Sequence, residues 1–274
     1  MDALARVVAS SRRLLALTGA GCSTESGIPD YRGPDGTWKH KQPMLYQEFV
    51  SSEVARKRYW ARSMAGWQRI EAARPNDGHR ALARLETAGA LRHVVTQNVD
   101  GLHGKAGSRR VIDLHGRLDR VECLLCRVVF PRREFQRELE RLNPEWPARV
   151  SEVQPDGDAD LGVVDYESFR VPACPCCAGD LKPAVVFFGE SVPPGRTARA
   201  LRLLEEADAL LVAGSSLMVW SGYRFVRRAA ARRIPVALVG LGRTRGDGEA
   251  TLKVEGRCGE VLPELATRIA GTGP

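Results

Sequence analysis

No stretch of the 274-residue chain approaches the roughly 18 apolar residues that a membrane span requires. The longest apolar region, Ala207 to Val219, is broken by Asp208, Gly214, Ser215 and Ser216. No tract of basic residues interleaved with aromatics is present. The net charge of +8, from 41 Lys and Arg against 33 Asp and Glu, therefore reads as arginine-rich helix faces rather than a nucleic-acid surface. A positive field of this kind also attracts an anionic cofactor. There is no internal repeat and no long low-complexity linker. An even cysteine set is also missing. The seven cysteines, at 22, 123, 126, 174, 176, 177 and 258, include two Cys-x-x-Cys pairs, which argues for a reducing compartment and a metal rather than a disulfide framework. These absences lead us to expect a cytoplasmic, monomeric protein without direct nucleic-acid or membrane binding.

What is present alternates. With 43% hydrophobic residues, the chain can bury one large α/β domain or two modest lobes. Leu14-Leu-Ala-Leu-Thr18, Leu91 to Thr96, Val111 to Leu114, Val185 to Phe188, Ala209 to Ala213 and Pro235 to Val239 read as short strands. Arg80 to Ala88, Arg196 to Glu206 and Tyr223 to Arg233 read as helices. Thr37 to Arg74 also reads as helical, with Trp60 and Trp67 spaced to face one core. This alternation implies a parallel sheet covered by helices. The expected fold class is α/β: a Rossmann-like lobe over about 1–33, 77–115 and 183–274. A smaller lobe comprises a helical part, 34–76, and a loop-rich metal module, 116–182.

The segment from Ser11 to Arg32 supports two incompatible readings. Arg12-Arg13, an apolar run and Ala20-Gly21-Cys22 resemble an export signal with a lipid-attachment cysteine. The apolar core there is only about four residues, against the 7–15 or so of such signals. The other reading is a strand opening through Gly19-x-Gly21 onto a phosphate-binding turn and the start of a helix, where small residues let backbone amides approach a pyrophosphate. The third glycine of Gly-x-Gly-x-x-Gly is missing, because position 24 is Thr, and no acid follows about 20 positions on. The glycines alone thus mark only a tight turn.

The continuation is more specific. Gly19-Ala-Gly-Cys-Ser-Thr-Glu-Ser-Gly-Ile-Pro-Asp-Tyr-Arg32, Thr96-Gln-Asn-Val-Asp-Gly-Leu-His103, Leu114-His-Gly116, Val185-Val-Phe-Phe-Gly-Glu190 and Gly214-Ser-Ser-Leu-Met-Val219 closely resemble, in order, the signatures of sirtuins, the NAD-dependent protein lysine deacylases. The resemblance runs from about Leu14 to Leu265. Asp30-Tyr31, Ser221-Gly-Tyr-Arg-Phe225 and Gly242-Arg-Thr-Arg245 resemble the class II branch, which includes the mitochondrial sirtuins of animals.

This resemblance implies a particular chemistry. In the family, the acyl-lysine carbonyl oxygen attacks the ribose carbon that bears nicotinamide, nicotinamide leaves, and a histidine acts as general base through the ribose hydroxyls while the acyl group moves to ADP-ribose. His115 is the implied base, and a neutral imidazole suits that task. Asn98 and Asp100 are implied around the nicotinamide amide and its ribose, with Gln97 and Val99 beside them. As bare sequence, Asn98 and Asp100 read equally as a strand-end Asx turn. Gly19, Ala20, Gly21 and Thr24 would hold the cofactor's phosphates. Pro29, Asp30, Tyr31 and Arg32 would close over NAD. Gly214, Ser215, Ser216, Gly240, Leu241, Gly242 and Cys258 would complete its site. Val186, Phe187, Gly189, Glu190 and Val219 would grip the acyl-lysine peptide.

Cys123, Cys126, Cys174 and Cys177 are the expected ligands of a structural Zn2+, since Cys-x-x-Cys pairs supply four thiolates for a closed tetrahedral shell. Cys176 competes with Cys177, and the spacing and family pattern favour Cys177. The 47 residues between Cys126 and Cys174 form a long excursion, which we expect to border the acyl site. Many sirtuins carry Asn where this chain has Gly240, so weaker NAD binding is expected. Tyr59-Trp-Ala-Arg62 has the Tyr-x-x-Arg spacing with which desuccinylating sirtuins bind an acyl carboxylate; helix packing by Tyr59 beside a solvated Arg62 is the more economical reading. Alternative activities are protein mono-ADP-ribosyl transfer, a zinc-ribbon binding protein with an inactive NAD pocket, and an ordinary dehydrogenase. Retention of His115 and Asn98 argues against the second, and the missing glycine and acid against the third.

Overall fold

The computed structural model describes residues 1–39, 42–146, 152–153, 155–161 and 164–270. The strands are β1 (Leu14–Thr18), β2 (Leu91–Thr96), β3 (Val111–Asp113), β4 (Gly116–Cys123), β5 (Val129–Pro131), β6 (Glu152–Val153), β7 (Ala159–Asp160), β8 (Leu181–Val185), β9 (Ala209–Ala213), β10 (Val236–Gly240) and β11 (Leu252–Glu255). The helices are α1 (Asp2–Ser10), α2 (Tyr46–Ser51), α3 (Glu53–Ala72), α4 (Asp77–Thr87), α5 (Leu102–Lys105), α6 (Arg132–Leu142), α7 (Pro194–Glu206), α8 (Trp220–Ala231) and α9 (Cys258–Ala270). No helix among the described residues is long and apolar enough to cross a membrane.

Six strands form one parallel sheet in the order β11-β10-β9-β1-β2-β3. All five residues of β1 and all five of β9 are buried, as strands covered on both faces must be. Strand alternation sends Leu14 and Ala16 to one face, against Leu4, Leu82, Leu85 and Leu262 of α1, α4 and α9. Leu15 and Leu17 point to the other, against Leu204 of α7 and Phe225 and Val226 of α8. From β1 the chain builds outward to β2 and β3, then returns to the opposite side of β1 with β9. Strand order therefore reverses between β1 and β9, and a crevice opens at their carboxyl ends.

The smaller lobe has its own core. Phe49, Tyr59, Trp60, Trp67, Phe135 and Phe169 pack together, and the Trp60 indole donates to the Leu181 carbonyl at 3.0 Å. Trp60 and Trp67 share this core, seven residues apart on α3. Arg132 is buried over both rings, and burial brings its guanidinium down to about 10.

Three expectations need correction. The run Val185 to Phe188 does not join the parallel sheet. Only Val185 is in a strand, and that strand, β8, pairs antiparallel with β4, which also pairs with β5. A short apolar run fixes burial but not the direction of its partner. The helical reading from Thr37 fails at the described residues 37–39 and 42–45, where Pro43 disfavours a helix; the first helix there begins at Tyr46. Finally, two 3-10 turns, Ala20–Cys22 and Thr24–Ser26, follow the glycine loop where an α-helix was expected. Of the excursion between the cysteine pairs, residues 147–151, 154 and 162–163 lie outside the described residues.

Candidate active site

The crevice is a cavity of about 1000 Å3. Its floor is a backbone crossing. The Gly21 amide donates to the Gly214 carbonyl at 2.8 Å, and the Gly19 amide to the Ala213 carbonyl at 3.1 Å. A Cβ on Gly19 would lie 2.7 Å from the Ser215 Cβ, and one on Gly214 would lie 2.2 Å from the Cys22 nitrogen. Gly214 also has φ +64°, so both space and backbone demand glycine there. The two loops can thus approach closely enough to present small residues to a ligand.

Asn98 follows β2 into this floor. Its amide nitrogen donates to the Gly19 carbonyl and to Ser23 Oγ, each at 3.0 Å. Both amide hydrogens are therefore engaged, which leaves its oxygen to offer the cavity. Asp100 receives Ser23 Oγ–H at 2.7 Å and the Leu102 amide at 2.8 Å. The Leu102 contact is the Asx turn that the bare sequence allowed, and Asp100 also lines the cavity. Ser23, which the sequence reading passed over, joins Asn98 to Asp100 and lies 3.4 Å from His79 Nε2. A small polar residue inside a glycine-rich turn was the available signal.

His115 sits just beyond β3. Its Nδ1 is 2.9 Å from the Gln97 carbonyl and its Nε2 is 2.7 Å from Ser221 Oγ. Burial pulls the imidazole down to about 4; the Gln97 carbonyl opposes this, and Arg196 and Arg224 reinforce it. His115 is therefore neutral near pH 7. The Val186 amide donates to the His115 carbonyl at 2.7 Å, so the segment after β8 is anchored directly to this residue.

The flap from Ile28 to Lys39 closes one side. Tyr31 packs edge-to-face against Phe188 at 5.6 Å and Trp38 at 6.2 Å, and Arg32 stacks over Trp38 at 4.0 Å. Asp30 pairs with Lys39 at 2.6 Å. Of the residues singled out for cofactor and peptide, all line the cavity except Pro29 and Gly242, which lie just off its wall. Glu190 lines it, but its carboxylate is engaged by buried Lys182 at 3.2 Å and by the Phe187 amide at 2.9 Å. Sequence reading also gave no site role to Trp38, Ser221, Arg224, Arg243 and Arg257 in the wall; Ser221, Arg224 and Arg243 lie in quoted family-like motifs, whereas Trp38 and Arg257 lie in none.

Tyr59 reaches the cavity wall from the small-lobe core. Arg62 does not have a free head group: its Nε lies 2.8 Å from the Asp158 carboxylate and 2.7 Å from the Ala159 carbonyl. Pro155 and Asp156, from the described part of the long excursion, also line the cavity, and burial pushes the Asp156 carboxyl up. Cys22 is buried, and its hydrogen bond with Cys258, together with burial, raises its thiol well above the ordinary range. It is therefore a protonated, poorly nucleophilic thiol. In the small lobe, Cys123 Sγ and Cys177 Sγ are 3.5 Å apart, and Cys126 Sγ and Cys174 Sγ 3.7 Å. Sulfurs at about 2.3 Å from a tetrahedral zinc lie about 3.8 Å from one another, so the donor set fits that ion. Cys176 is exposed and outside the cluster.

The profile of the Sir2 family matches residues 19–221. The chain belongs to the Sir2 family. Among its Sir2 relatives, NAD-dependent protein deacetylase 2 of Bradyrhizobium diazoefficiens is 58% identical, with 94% of each chain covered. The NAD-dependent protein deacetylase of Bordetella bronchiseptica is 54% identical, with 97% of each covered. A solved Sir2 homologue in complex with NAD is similar to this chain with a TM-score of 0.74 at 32% identity, over 99% of this chain and 94% of that one. A Sir2 variant bound to a deacetylated p53 peptide and 3'-O-acetyl ADP-ribose has a TM-score of 0.77 at 30% identity, over 100% of this chain and 98% of that one.

Two predictions follow from this Sir2 site. Gly240 has room for a side chain, since the nearest atoms to an added Cβ are the Gly214 nitrogen and Cα at 3.8 and 3.9 Å. Gly240→Asn should tighten NAD binding about fivefold, the worth of roughly 1 kcal/mol for one added hydrogen bond. Titration calorimetry giving equal or weaker affinity would count against it. The second concerns His79 and His103, buried with imidazoles pulled by burial to about 4 and about 3. An unfolded imidazole binds a proton near 6.5, so the unfolded state takes up protons first as pH falls and stability drops from about 6.5 downward. At pH 5 each should cost about 2 kcal/mol. Urea unfolding at pH 7.5 and 5.0 should show a loss about 2 kcal/mol smaller in His103→Gln than in the unaltered protein; equal losses would overturn the assignment.

Proposed function

We propose that the protein is an NAD-dependent protein lysine deacetylase that moves the acyl group from lysine to ADP-ribose and releases nicotinamide. The carrying observation is that His115, neutral and held by Gln97, opens onto the same cavity as the glycine loop of β1. NAD supplies an activated glycosidic bond to nicotinamide as leaving group. Gly19, Ala20, Gly21 and Thr24 present a small-residue loop for its phosphates, and Ser215 lies opposite, with Oγ accepting from Gln97 at 2.8 Å. The oxygens of Asn98 and Asp100 face the nicotinamide end as acceptors. The aromatic flap around Tyr31 keeps water from the reacting centre. His115 receives the proton that a substrate hydroxyl loses as the acyl group is transferred.

The acyl end of the cavity carries no spare cation at the Tyr-x-x-Arg position, because Arg62 is engaged by Asp158. Asp156 adds an acidic group to the same wall. This arrangement favours neutral acyl groups over succinyl or glutaryl. The four clustered sulfurs would hold Zn2+ in a closed shell, which pins the small lobe and takes no part in the reaction. All seven cysteines are free thiols, consistent with work in a reducing compartment such as the cytoplasm.

Mass spectrometry of an acyl-peptide panel with NAD should show acyl-ADP-ribose, acetyl and other neutral groups removed faster than acidic ones, and a loss of about 100-fold or more in His115→Ala. ADP-ribose retained on protein without acyl-ADP-ribose would instead indicate ADP-ribosyl transfer. Metal analysis should find one Zn2+ per chain. Cys126→Ala should lose it and unfold at lower temperature, whereas Cys176→Ala should change neither; zinc retained in Cys126→Ala would sink the tetrathiolate assignment.

A further inference from the structure

The lone pair of His115 already has a hydrogen-bond partner. A backbone carbonyl only accepts hydrogen bonds, so the 2.9 Å contact between Nδ1 and the Gln97 oxygen places the ring proton on Nδ1. Nε2 is then bare, and the 2.7 Å contact with Ser221 Oγ requires the serine hydroxyl to donate. Ser221 Oγ therefore already occupies the Nε2 lone pair, at the wall of the cavity that His115 also lines. Ser221 lines that cavity and is 7% exposed.

The placement is built into the fold. Ser221 lies in the first turn of α8, but the N-cap is Val219 and no side chain caps this helix. A helical serine commonly bonds back to a carbonyl of its own helix. Here the hydroxyl reaches across 106 positions of sequence to another element. The approach depends on the next residue: a Cβ on Gly222 would lie 2.3 Å from Gln97 Oε1. Glycine at 222 lets α8 press against the end of β2, the strand that leads to the Gln97 carbonyl holding His115. One glycine thus brings the serine, the histidine and the carbonyl into a single chain of hydrogen bonds.

We propose that Ser221 is a proton relay between a substrate hydroxyl and His115. This rests on the reading of His115 as the base. The substrate O–H bond breaks as its proton passes to Ser221 Oγ, while the Ser221 O–H bond breaks as that proton passes to Nε2. The electron pair stays on the substrate oxygen, serine is regenerated, and the positive charge ends on the imidazole. The reverse shift returns the proton. No oxidant or further reactant is needed.

Ser221→Ala, Ser221→Thr and His115→Ala test this in the full-length enzyme. Ser221→Ala should lower kcat about 100-fold, the lower end of one general acid–base contribution, with KM for NAD changed less than about twofold. The proton inventory in H2O–D2O mixtures should change from curved, with two protons in flight, to linear; Ser221→Thr should restore both rate and curvature. In the free enzyme, 15N spectra of labelled histidine should show a hydrogen-bonded Nε2 in the unaltered protein and a less shielded one in Ser221→Ala. Unchanged kcat and inventory in Ser221→Ala, or no change in the nitrogen shift, would overturn the relay while leaving His115 as base. Full activity in His115→Ala would remove the base reading itself, and the relay with it.

Discussion

The site depends on one backbone crossing. Where β1 and β9 end, the loops that leave them pass with the Gly21 amide on the Gly214 carbonyl, so closely that a Cβ on Gly214 would lie 2.2 Å from the Cys22 nitrogen. That contact fixes the floor of the crevice and aims Ser215 toward Gln97. It also sets the height at which Asn98, bonded to the Gly19 carbonyl, faces the cavity. The glycine loop, the end of β2 and the Ser215 side of the crevice are therefore referred to one point.

Around that point, polar groups are held by one another before any ligand arrives. Asn98, Ser23 and Asp100 form one chain, and Gln97, His115 and Ser221 form another. Partners fixed in this way do not have to be organised during the reaction, which is where a preorganised polar site gains over water. The cost appears elsewhere as buried, neutral imidazoles at 79 and 103.

Much of this was legible in the sequence, for physical reasons. Buried parallel strands write themselves as unbroken apolar runs, so β1, β2, β9 and β10 were readable. Two Cys-x-x-Cys pairs state a tetrahedral donor set, and the structure separates Cys177 from Cys176. The antiparallel partner of Leu181–Val185 was not readable, since burial carries no direction. Nor was the engagement of Arg62 by Asp158, because a pairing across nearly 100 residues leaves no local pattern. Ser221 was quoted within a family-like motif, but its role depends on a glycine that acts on another strand.

The flap carries a consequence of its own. Phe188 touches Tyr31 and Trp38 of the flap, bridges to Leu45, and lies within the segment Val186 to Glu190 that would hold the peptide. In the proposed function, this one ring is shared by the peptide and nucleotide sites. Any free energy by which a bound peptide shifts Phe188 must appear, with equal size, as a change in affinity for the nucleotide under the flap, and the reverse holds as well. In the proposed function the aromatic cluster would thus be a point of thermodynamic linkage, where occupancy of one half of the crevice is read by the other.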